Sequence, residues 1–224
     1  RLREDSCKSH LRMIRVRNTP KATLTSDCPV YIQDYYSMMR ALLSTMPAPI
    51  MCTEFTPRWH DIMKSSRELL IRPRNVNATA VMTEFLSHAI VQFHDYNNYP
   101  LAQEMQEHYY QHYLETILEA ISKCEKDTVA PYNMALYQIA KSNPHRFDEV
   151  ASGLLKQNGF PTDKISEEAK KEHLVKWIRS MASDFGHVRK SSHYKILTGQ
   201  VSTSFMLACK GHVTRTYQNL QRGK

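Results

Sequence analysis

Two four-residue units, Cys7-Lys8-Ser9-His10 and Cys209-Lys210-Gly211-His212, place the same Cys-x-x-His pattern near opposite ends of the sequence. A thiolate and an imidazole three residues apart make half of a tetrahedral zinc site. Together the units would supply two cysteines and two histidines and tie one end of the chain to the other. Gly211 would ease the turn around the metal. A second arrangement falls within one helical stretch: His108 and His112 are four residues apart, so both imidazoles share a face, with Glu115 following. The glutamate that follows the first histidine in zinc hydrolases is replaced here by Tyr109. With Tyr109, Tyr110 and Tyr113 interleaved, the pair reads better as part of a half-buried aromatic face. The expectation is therefore no cofactor, with zinc as the alternative.

Other catalytic patterns fail on composition or spacing. A Cys–His nucleophilic pair lacks an identifiable third residue to orient the imidazole. Carboxylate metal sites of helical bundles place Glu and His three residues apart on two helices, and Glu84-x-x-x-His88 is one residue too long. The 6 glycines stand singly along the chain, so there is no Gly-rich phosphate loop of the P-loop or dinucleotide kind, and Gly-x-Ser-x-Gly is also absent. The chain reads as a non-enzyme.

Charge offers a third chemistry. The net charge is +8; residues 1–25 hold seven Lys or Arg against two acids and residues 187–224 hold seven against none, which leaves 26–186 at −4. Basic ends on an acidic body suit contact with a polyanion, because clustered like charges repel until something neutralises them. Arg12, Arg15 and Arg17 are interleaved with Leu11, Met13, Ile14 and Val16, so that stretch can anchor by its apolar side while the guanidinium groups reach phosphates. Arg189, Lys190, Lys195, Lys210, Arg215 and Arg222 would extend the same surface if the ends meet, and Tyr194 and Tyr217 among them could stack on bases. Nucleic acid, an acidic protein and an anionic membrane surface all fit such a patch.

Helices must position these groups, and their start and stop signals are legible. A helix opens near Pro29 after Ser26 or Asp27 and runs over Ile32, Tyr35, Met39, Leu42, Leu43 and Met46 until Pro47. Thr56-Pro57 opens a second, which ends at Pro73, and Asn75 or Asn77 opens a third through Phe93. The longest runs from Pro100 to about Lys123; its Glu104, Glu107, Glu115 and Glu119 lie off the apolar stripe and predict an acidic, solvated side. Further helices are expected from Pro131 to Asn143, from about Arg146 to Gln157 before Asn158-Gly159, and from about Ser166 to Phe185. After His187, Val201, Phe205, Ala208 and Leu220 allow one more, interrupted or ended near Gly211.

The expectation is an all-α single domain over 1–224, a multi-helix bundle or short helical array of about seven to eight helices. HEAT-like or MIF4G-like stacking would fit the spacing, although no repeat signature recurs. No apolar run reaches the length of a membrane span, and 5 irregularly placed cysteines suit a reducing interior, cytoplasmic or nuclear. The function this implies is a helical interaction or scaffold domain with a protein partner, whose basic ends contact an anionic one. The alternatives are an RNA- or DNA-binding protein of viral nucleocapsid-like or matrix-like kind, and a zinc protein.

Overall fold

The computed structural model describes residues 29–46, 55–73, 75–95, 100–182 and 191–212. Among these the chain is all-α, with eight α-helices. They are α1 (Pro29–Thr45), α2 (Thr56–Ile71), α3 (Val76–Asp95), α4 (Pro100–Lys123), α5 (Val129–Ser142), α6 (Pro144–Leu155), α7 (Glu167–Ala182) and α8 (Ser191–Cys209). No helix of the described residues is long and apolar enough to cross a membrane.

The helix starts follow capping chemistry. Asn75 Oδ1 accepts the Ala78 N–H at 2.9 Å, Asn143 Oδ1 accepts that of Arg146 at 3.0 Å, and Ser166 Oγ accepts that of Ala169 at 3.2 Å. Each satisfies a first-turn donor that has no partner within its own helix. Two starts lie two residues earlier than the sequence suggests. α5 begins at Val129, behind a 3₁₀ turn over Lys126–Thr128, so Pro131 sits inside its first turn, where a missing N–H costs nothing. α6 begins on Pro144 itself, with Asn143 as its cap. Gly159, at φ +77°, turns the chain four residues beyond the end of α6 rather than capping it, and Gly211, at φ +80°, ends α8.

α1, α3 and α5 lie side by side in one row, and α2 packs on α4 in a second. Arg40 pairs with Glu84 and Ser44 with His88, so both helices advance four residues together and α1 runs parallel to α3. Between the rows the buried face of α1 (Ile32, Tyr36, Met39, Leu43) meets Trp59 of α2, Phe85 and Phe93 of α3 and the tyrosines of α4 in one continuous core cluster. Both tryptophans are buried, as their apolar faces predict. Arg146 ties α6 to α4, donating to the Gln106 carbonyl at 3.1 Å with its guanidinium 5.3 Å from the Tyr110 ring centroid.

One expectation is corrected. The solvated acidic side of α4 does not extend to Glu115 and Glu119. Arg67 of α2 reaches both, at 3.2 Å and 2.8 Å, and the glutamates are largely covered between the two helices. As the apolar residues after His187 allow, one more helix forms there and ends near Gly211. Residues 191–209 form α8, which packs on α4, α5 and α7 and buries Phe205, Met206 and Cys209. The other fully buried positions among its described side chains are Thr198 and Ser202, small and polar, so hydrophobic periodicity alone leaves the helix faint.

Candidate functional site

A cleft of about 690 Å³ opens where the C-terminal halves of α1, α3 and α5 meet. Helical spacing builds it. Arg40 and Ser44 come from α1, Glu84, His88, Val91 and Asp95 from α3, and Gln138, Lys141 and Ser142 from α5, each set spaced to share one helix face. All three helices end beside it, at Thr45, Asp95 and Ser142.

Charge inside the cleft is arranged in pairs. The Arg40 guanidinium bonds the Glu84 carboxylate; both side chains are near half exposed, so the bond orients more than it stabilises. Ser44 Oγ lies 3.2 Å from His88 Nε2. Burial, helped by the Arg40 cation, pushes the His88 pKa down against the opposing pull of Glu84 and Asp95. The imidazole is therefore uncharged at neutral pH. Asp95 and Lys141 are exposed, and neither has an ion-pair partner among the described residues.

The Ser44–His88 distance would serve a nucleophile and its base, but Glu84 is held by Arg40, so no carboxylate orients the imidazole among the described residues. What the cleft does offer is hydrogen-bonding groups and opposite charges on a wall built from three helices.

The ligand candidates of the sequence do not gather here. His108 is exposed on α4 while His112 is half-buried, its pKa lowered by burial and then by Arg67, against Glu115. Glu115, the carboxylate that follows that pair, is bound to Arg67. Cys209 is buried, and burial pushes its thiol up to about 12 even with Lys170 pulling the other way, whereas His212 is exposed. No group of three metal-capable side chains assembles among the described residues. Cys7, His10, Arg12, Arg15, Arg17, Arg189, Lys190, Arg215, Tyr217 and Arg222 lie outside the described residues, as do the side chains of Tyr194 and Lys195. Lys210 follows α8, partly buried.

The cleft itself was half legible. Glu84 and His88, set aside for failing a metal spacing, are four residues apart and therefore on one face of α3, which is the signal a polar groove leaves. Nothing in the sequence joins them to Ser44 or Lys141. No protein family, curated protein or solved structure matches the chain.

Proposed function

We propose that this chain is a non-enzymatic helical interaction domain whose cleft between α1, α3 and α5 receives a segment of a partner protein, while its basic ends contact an anionic surface. The cleft carries the reading. Its volume of about 690 Å³ lies within the range of specific binding sites, and its walls are helices rather than loops, so the polar groups are held in place before a partner arrives. Five unevenly spaced cysteines, with Cys124 and Cys209 both free and buried, support a reducing, intracellular setting.

Site-specific photo-crosslinking tests it. A crosslinking side chain at Gln138 should give a discrete protein adduct in cells, and the same group at Lys171, an exposed position of α7, should not. Absence of an adduct from the cleft, or equal adducts from both places, would remove the reading.

The segregation of charge, with 187–224 free of acids, favours RNA or DNA as a second reading for the anionic partner. Binding of a fluorescent mixed-sequence RNA and DNA at two salt concentrations decides it. Salt-sensitive binding that is lost when Arg12, Arg15, Arg17, Arg189 and Lys190 become Ala places nucleic acid on the basic ends; no binding at low salt rejects it.

A further inference from the structure

We propose that the cleft selects a basic occupant: a partner segment presenting lysine or arginine side chains to the shared C-terminal end of α1, α3 and α5. This deepens the docking reading given above and rests on it.

Three helix ends decide the sign. Each helix C-terminus presents backbone carbonyls without helical partners and carries about half a negative charge. α1, α3 and α5 terminate beside the cleft at Thr45, Asp95 and Ser142. The end of α5 is offset in part because α6 starts on Pro144, so α1 and α3 contribute most. The side chains add no net positive charge against this. Arg40 is neutralised by Glu84, and the exposed Lys141, in the last turn of α5, is matched in number and opposed in sign by Asp95. Asp95, the last residue of α3, is left exposed without a cationic partner among the described residues. Ser44, Gln138 and Ser142 each bring an oxygen that can accept from an ammonium or guanidinium group.

His88 makes the selection pH-dependent. The groups facing it are Arg40 from α1, Glu84 and Asp95 from α3 and Lys141 from α5. Its depressed pKa keeps it neutral at pH 7, where it can accept a hydrogen bond; on acidification it becomes a further cation in the cleft and repels a basic occupant. Binding is present at neutral pH and weakens as pH falls.

The test measures anisotropy of two labelled seven-residue peptides on the whole chain, one Lys- and Arg-bearing and one with Glu and Asp in the same places. The basic peptide should bind at pH 7.5 and weaken on acidification to pH 5.5, by less than the roughly tenfold change that an unshifted histidine would give. Asp95→Asn should weaken it about tenfold and Lys141→Gln should tighten it about threefold, opposite signs from two exposed neighbours whose loss leaves the core intact. The acidic peptide, if it binds the basic ends, should ignore both substitutions. Acidic-peptide binding that tightens with Asp95→Asn and weakens with Lys141→Gln would overturn the choice of charge while keeping the cleft as a docking site. Indifference of both peptides to both substitutions would overturn the docking reading as well.

Discussion

The two halves of the core are joined by different chemistry. Around α2 and α3 it is aromatic: Trp59 stacks on Phe85 at 5.7 Å and 2°, and Phe93 and Phe55 meet its ring edge-on at 5.0 Å and 6.0 Å. Between α5, α7 and α8 it is a chain of hydrogen bonds under fewer aromatic rings. Trp177 Nε1 donates to Ser202 at 3.0 Å, Ser202 donates to Asn133 Oδ1 at 2.8 Å, and Ser180 meets Thr198 at 3.1 Å. His173 completes the seam, with Nδ1 2.7 Å from the Ala169 carbonyl and Nε2 3.2 Å from Ser204 Oγ. Apolar burial is large and non-directional, so the first half draws its stability from area. Hydrogen bonds are worth less but demand one geometry, so the second half draws from them the register of α8 against α5 and α7.

Truncation should separate the halves most clearly. Trp59→Ala leaves a cavity in the aromatic cluster and should cost about 3–5 kcal/mol in chemical denaturation. Asn133→Ala should cost about 1–3 kcal/mol, because it strands the Ser202 hydroxyl inside the seam. Ser202→Ala combined with Asn133→Ala should then cost less than the two changes added together, since they share one hydrogen bond. Strict additivity would mean that the seam is not a network.

Acid sharpens the contrast further. Burial, with the Lys176 cation, depresses the His173 pKa, while its bond to Ala169 opposes them. Between the folded value and the unfolded one near about 6.5, the unfolded chain binds more protons, so stability rises with pH and is lost as pH falls through this window. His88 and His112 are depressed in the same direction but are more exposed, so they add less. The denaturation midpoint should be lower at pH 5.5 than at 7.5, and His173→Gln should narrow the gap. The smallest effect has the opposite sign. A methyl group on Gly199 would come no nearer than 3.5 Å, to Asn133 Nδ2, so Gly199→Ala fits and should stabilise α8 by about 0.5–1 kcal/mol. A loss of stability would show that the seam tolerates no added volume.

The aromatic half was readable in advance because large apolar residues at helical spacing mark both the helix and its buried face, as Trp59, Ile62, Met63 and Leu70 do on α2. The seam was not, because serine and threonine carry no such mark: Thr198 and Ser202 are fully buried, yet they resemble surface residues in the sequence. Arg67 shows the same limit, since its glutamates lie 48 and 52 residues away and no local rule connects them.

Local signals therefore determined which segments are helical, where most of them begin, and that both tryptophans lie inside. These properties depend on neighbours within a turn or two, through capping, proline placement and side-chain period. Tertiary structure alone decided that Ser44 meets His88, that the acidic side of α4 is partly claimed by Arg67, and that three helix ends converge on one cleft. Those outcomes depend on which helices lie side by side, a choice made by packing the whole core at once.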